Sequence, residues 1–234
     1  MPINALCVAP LYNSPGINKH TGHVWADASA VFGPEAARFS AAYGHLPIYR
    51  YDNRNPLPTR FHDLTVALNG VANQLDTLAI FGHAWVKGCQ AGITNANLHT
   101  FVEVCKTALA VDCTIVLYGC SAGGDADGDE SDEKGKGPGG DGGFADLLRD
   151  ALSEAGLRPH VFAHTVRGHA TENPYVRYFP PGAGAGGNWV VEPGSGLWGK
   201  WGKALASSPK DRPWVRLHFP FWTNEQLEIE LARY

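Results

Sequence analysis

Two runs, DTLAIFGH (residues 76–83) and CTIVLYGC (113–120), decide how this chain is read. Each is a short apolar run that ends on a glycine followed by a side chain able to do chemistry, His83 in the first and Cys120 in the second. Between them NLHTFVEVCKTALA (97–110) has the length and apolar spacing of a helix. Strand, helix, strand is a βαβ unit, and a single crossover usually returns the chain to an adjacent parallel position. The spacing therefore predicts that His83 and Cys120 stand on neighbouring strand ends.

The same alternation extends outward. NALCVAPLY (4–12), LPIYRYD (46–52) and RPHVFAHT (158–165) read as further strands. GPEAARFSAAYG (33–44), RFHDLTVALNGVANQL (60–75) and FADLLRDALSEAG (144–156) read as helices. Strands that are continuous apolar runs between helices predict an α/β fold, a three-layer α/β/α sandwich around a mostly parallel sheet. Ligands in such sheets bind at the carboxyl ends of the strands. Residues 1–180 are expected to form this domain, interrupted by the Gly-rich acidic stretch GDADGDESDEKGKGPGGDGG (124–143), which reads as a flexible loop. Residues 181–234 carry five of the seven tryptophans and are expected to pack back on the core, with a regulatory protein partner as a lesser role.

Composition narrows the function. The net charge is −4, and the stretch 125–141 alone carries seven acids and two lysines, so the remainder is close to neutral. No basic stripe marks a nucleic-acid binder, and no apolar run has the roughly 20 residues of a membrane span. Five cysteines without a C-x-x-C suggest neither a disulfide framework nor a zinc ribbon. The opening MPINALCVAPLYNS has no basic segment followed by an apolar core, so a cytoplasmic protein is expected. DADGDE (125–130) departs from a calcium loop, with Glu130 in place of the required glycine and Lys136 in place of the bidentate glutamate. Calcium binding there is expected to be weak at best, and His20 and His23 lack the further ligands of a metal site.

Two nucleophiles compete at the second strand end. Gly119-Cys120-Ser121-Ala122-Gly123 satisfies G-x-S-x-G, the serine elbow of α/β-hydrolases. An elbow turns directly into its supporting helix, whereas here the acidic stretch intervenes, and none of His160, His164, His169 and His218 is singled out as a partner. The cysteine reading needs no added assumption. A thiolate is the nucleophile, a nearby imidazole favours it and protonates the leaving amine, and main-chain N–H groups at the two corners hold the oxyanion.

LAIFGHAW (78–85) followed by TIVLYGCSAGG (114–124) resembles the caspase–hemoglobinase superfamily of cysteine peptidases, which includes caspases, metacaspases, legumains, gingipains, separases and CHAT-domain proteases. The resemblance covers roughly residues 4–165 in strand order, and GCSAG is most like the separase version. It implies a caspase-like fold, Cys120 as nucleophile and His83 as general acid/base. It also implies an oxyanion and cleft region at Gly82, Ala84 and Gly119, and an endopeptidase acting on protein or peptide substrates without a required cofactor. Ala84 stands where the family usually has glycine. Tyr118 stands two before the cysteine, where several relatives line the S1 pocket, often with aspartate when they cut after Lys or Arg. Arg50 and Arg54 suit an acidic P1 residue, Asp52 and Asp125 a basic one, and Thr165 belongs to a polar segment (164–179) expected at the cleft wall. The acidic loop falls where caspases carry a processing linker, which implies self-cleavage. The departures at Ala84 and Tyr118 keep a non-catalytic binding module on the same fold as an alternative, beside a serine hydrolase using Ser121.

Overall fold

The computed structural model describes residues 4–12, 16–17, 24–25, 32–42, 47–126, 140–165, 176–182 and 189–190. In chain order the elements are β1 (Ala5–Pro10), β2 (Gly16–Ile17), β3 (Val24–Trp25), α1 (Phe32–Ala42), β4 (Ile48–Tyr51), α2 (Leu57–Asn69) and β5 (Leu75–Phe81). They continue with β6 (Ala84–Trp85), β7 (Gly88–Cys89), α3 (Leu98–Ala108), β8 (Leu109–Tyr118), α4 (Phe144–Glu154), β9 (Arg158–His164), β10 (Val176–Phe179) and β11 (Trp189–Val190). Seven strands form one sheet in the order β11-β10-β9-β8-β5-β1-β4, and β2–β3 and β6–β7 are separate two-stranded pairs. From β9 to β4 every pairing is parallel, while β10 and β11 are antiparallel additions at one edge. The chain is thus α/β with a mostly parallel sheet.

Register shows how the strands share their two faces. Val8, Ile80, Leu117 and Ala163 form one row across four strands, and Cys7, Ala79, Val116 and Phe162 form the next. Side chains alternate along a strand, so the two rows face opposite ways. The first row packs with Leu64 and Leu68 of α2, Phe101 and Cys105 of α3, and Leu148 and Leu152 of α4 in one cluster. The second row faces α1, which contacts β1, β4 and β5 and sets Phe39 against Phe81 at a ring separation of 5.8 Å. This division follows from right-handed crossovers: the first step moves outward from β1 to β4, and all later ones move the other way. Helices therefore lie on both faces. Each fully buried leucine or phenylalanine contributes about 2 kcal/mol.

Several boundaries differ from the sequence expectation. The second helix begins at Leu57, because Pro58 is accepted in a first turn. It ends at Asn69, where the Gly70 N–H closes onto Val66 and Ala67. Leu75, at helical spacing from Val71, instead opens β5. The polar segment 164–179 is not a cleft loop throughout. Its last four residues, VRYF, form β10 against β9, as suits a β-branched and aromatic run. Trp189, first of the tail's tryptophans, lies in β11 beside Tyr178. Residues 127–139, 166–175 and 191–234, together with His20 and His23, for which the sequence raised expectations, lie outside the described residues. No helix among the described residues is long and apolar enough to cross a membrane.

A buried ionic group fastens α4 to the antiparallel edge. Arg149, 1% exposed, pairs with Asp146 and Asp150, donates to the Pro180 carbonyl at 3.1 Å, and lies over the Phe179 ring. Burial raises the Asp146 carboxyl above its ordinary range, against the opposing pull of the Gly142 N–H and Arg149. Removing one partner of a buried pair leaves its neighbours uncompensated. Arg149→Ala is expected to destabilise the fold by about 3 kcal/mol, measured by urea unfolding.

Candidate active site

The β5–β8 pairing runs to Phe81 opposite Tyr118, and the Gly82 N–H still donates to the Tyr118 carbonyl at 3.3 Å. His83 and Cys120 stand two residues beyond these paired strand ends, and His83 lies on the side of the sheet that carries α1. The His83 ring meets Phe32 of α1 edge-on at 5.3 Å. Of the five cysteines, Cys7, Cys89, Cys105 and Cys113 are buried and Cys120 is half-exposed. Burial pushes the thiols of Cys7 and Cys113 up to about 12 and that of Cys89 up to about 11, and raises Cys105 as well.

Two glycines let the strand ends approach. A Cβ at Gly119 would collide with the Gly82 carbonyl and stand 2.8 Å from the Ala84 Cβ. A Cβ at Gly82 would run into the Tyr51 hydroxyl. Beyond them the β6–β7 hairpin folds over. The Gln90 N–H donates to the His83 carbonyl at 2.7 Å, which makes His83 and Gln90 a hydrogen-bonded facing pair. The next pair, Ala84 and Cys89, is then of the other kind, with N–H groups directed away from the hairpin. The Cys89 N–H accordingly donates outward to Ile93 at 2.8 Å. The Ala84 nitrogen lies on the side where Gly119 passes, 3.2 Å from where a Cβ there would be.

The turn after β8 is pinned on both flanks. The Gly123 N–H donates to the His164 carbonyl at 2.8 Å, and the Ala145 N–H, in the first turn of α4, donates to Ala122 at 3.1 Å. Ser121 has φ +54°, the only non-glycine residue with positive φ among those described, and is 7% exposed. A side chain so buried is poorly placed to act on a substrate. Cys120, one residue earlier, is the more accessible of the two.

The remaining specificity candidates are scattered. Tyr118 is 1% exposed and packed between Phe81 and His164, each ring 5.0 Å away. Thr165, just beyond β9, is buried too. Arg50 sits on β4, two strands from His83, and its guanidinium donates to the Pro10 carbonyl at 3.4 Å. Asp52 is held by Arg54 at 2.8 and 3.0 Å, and these hydrogen bonds keep its carboxyl below the usual carboxylate range. Arg54 also lies over the Tyr12 ring at 3.5 Å. Asp125 is half-exposed just beyond the Cys120 turn, near Gly143. Among the described residues no group of three His, Cys, Asp or Glu side chains could hold a metal ion.

Sequence reasoning missed Gln90, Tyr51 and Arg60. Gln90 Oε1 accepts from the His83 N–H and the Tyr51 hydroxyl, both at 3.2 Å, and Arg60 donates to the Gln90 carbonyl at 2.9 Å. A glutamine within VKGCQAG has no pattern of its own to mark it. No family model, curated protein or solved structure matches this chain.

Burial of four thiols predicts selective chemistry, because the thiolate is the reactive form. Iodoacetamide at mildly alkaline pH is expected to modify Cys120 in the folded protein and the other four only after unfolding, as located by peptide mass spectrometry. Gly119→Ala is expected to lower stability by about 1–3 kcal/mol in chemical denaturation, through overpacking against Gly82 and Ala84.

Proposed function

We propose that this chain is a cysteine endopeptidase of the caspase–hemoglobinase type, with Cys120 as nucleophile and His83 as general acid/base. The observation that carries the proposal is the parallel pairing of β5 and β8, whose register runs to Phe81 opposite Tyr118, two residues before His83 and Cys120 on their respective chains. The half-exposure of Cys120, against four buried thiols, supports the same assignment.

The chemistry follows from the two side chains. The Cys120 thiolate attacks the scissile carbonyl carbon, and the carbonyl oxygen becomes an oxyanion facing main-chain N–H groups. The outward Ala84 N–H is one candidate donor, and an alanine N–H serves as well as a glycine one. As the C–N bond breaks, the His83 imidazolium gives its proton to the leaving amine and a thioester remains on Cys120. Water then adds to the thioester while His83 takes its proton. The carboxylic acid departs and the thiolate returns. No cofactor enters either step.

Ser121 keeps one observation in its favour, since a left-handed backbone at a strand-to-helix corner is what an elbow nucleophile adopts. Its burial and the long interval before α4 weigh against it. The protein would be treated with iodoacetamide and a fluorophosphonate, and the adducts located by mass spectrometry. Cys120 is expected to be alkylated, roughly tenfold more slowly in His83→Ala, and fluorophosphonate labelling of Ser121 would overturn the assignment. Peptide hydrolysis is expected to fall by about 10²–10⁴-fold in His83→Ala.

The acidic segment supplies a second test. Wild type held under conditions that support peptide hydrolysis is expected to show cleavage within 124–143 by intact mass, and Cys120→Ala none. Equal persistence of both intact chains would remove self-processing from the proposal.

A further inference from the structure

In a hydrogen-bonded antiparallel pair, two facing residues exchange both of their main-chain bonds. His83 and Gln90 exchange only one, from the Gln90 N–H to the His83 carbonyl at 2.7 Å. The Gln90 carbonyl is turned toward α2, where Arg60 Nη1 donates to it at 2.9 Å. The missing rung is rebuilt by a side chain, with the His83 N–H donating to Gln90 Oε1 at 3.2 Å. The same oxygen faces the Tyr51 hydroxyl at 3.2 Å, and Tyr51 is 1% exposed at the end of β4. Arg60 is fixed in turn, donating to the carbonyls of Asn53 at 2.7 Å and Asn55 at 2.6 Å.

The His83 N–H can only donate, so the amide presents its oxygen there, and the single Tyr51 hydroxyl hydrogen is shared between that oxygen at 3.2 Å and the Phe81 carbonyl at 3.3 Å. The Gln90 amide is therefore set by β4, its carbonyl by α2, and between them they hold residue 83 from the side opposite α1. The imidazole lies against Phe32 on the α1 side. The grip is on the main chain, and the ring lies outside it.

We propose that Gln90 is the positioning residue for His83: its amide and carbonyl, anchored by Tyr51 and Arg60, fix the main chain at residue 83 so that the imidazole meets Cys120. The proposal rests on the Cys120–His83 assignment. A displacement of about 1 Å at a reacting group costs up to roughly 10²-fold in rate. A two-bond clamp at the base of the imidazole is therefore expected to matter to reactivity more than to folding.

The test measures the rate of Cys120 alkylation by iodoacetamide across the neutral pH range, with thermal melts to show that each variant is folded. Gln90→Ala is expected to slow alkylation about tenfold when His83 is present and to have no further effect in His83→Ala. Gln90→Glu keeps an acceptor for both donors and is expected to stay within about threefold of wild type. Tyr51→Phe keeps the packing, loses the hydroxyl, and is expected to slow the reaction about threefold. A folded Gln90→Ala protein alkylated at the wild-type rate would overturn the proposal. So would a slowing that persists undiminished in His83→Ala, since the glutamine would then act on the fold and not through the histidine. If His83→Ala leaves wild-type reactivity unchanged, the Cys120–His83 assignment falls and this proposal with it.

Discussion

Everything at the carboxyl edge depends on how closely β5 and β8 can run beside each other past their last paired residues. Parallel strands stand about 4.8 Å apart, and the chain must leave both at that separation without pushing them open. Gly82 and Gly119 supply the room, since a side chain at either would occupy space held by the Gly82 carbonyl or the Tyr51 hydroxyl. A hairpin that turns back over one strand and a tight turn that leaves the other can then share one corner. A bulky residue at either glycine would force the two strand ends apart.

The two faces of the sheet divide the labour. The face bearing α2, α3 and α4 holds the larger apolar cluster and also the polar clamp of Tyr51, Arg60 and Gln90. His83 points to the other face, where α1 gives it an aromatic wall in Phe32. Strand alternation makes this arrangement natural: a residue gripped from one face presents its side chain to the other. The main chain at residue 83 is bonded from the side of the larger cluster, and its imidazole projects on the side of α1.

Much of this was legible in the sequence, for physical reasons that vary by element. The carboxyl-terminal parts of β5 (78–81) and β8 (115–118) are buried on both faces, so they read as unbroken apolar runs, and α3 between them has a strong helical stripe. Leu75 misled because an apolar residue opening a strand happened to keep the spacing of the preceding helix. β10 was missed because four residues at an antiparallel edge give too short a pattern inside a polar segment. That β5 and β8, the strands leading to His83 and Cys120, are parallel neighbours could be inferred from crossover geometry alone. The burial of Ser121 and Tyr118 could not, since both depend on where distant elements pack. Gln90 was invisible for a related reason: its partners come from residues 51, 60 and 83, and no local pattern encodes hydrogen bonds between segments so far apart.

The stem below the acidic segment has an evolutionary consequence. The Ala126 N–H donates to the Asp141 carbonyl at 3.2 Å, and Gly143 packs against Gly124, so the two ends of the segment are fastened to each other as well as to the sheet. Closing a longer excursion across a stem already in place costs little, about 0.6 kcal/mol for each doubling of its length. Chain length at this point is therefore nearly uncoupled from the architecture beneath it. Insertions, deletions or a grafted recognition sequence can accumulate there while the sheet stays the same, beside the very turn that carries Cys120.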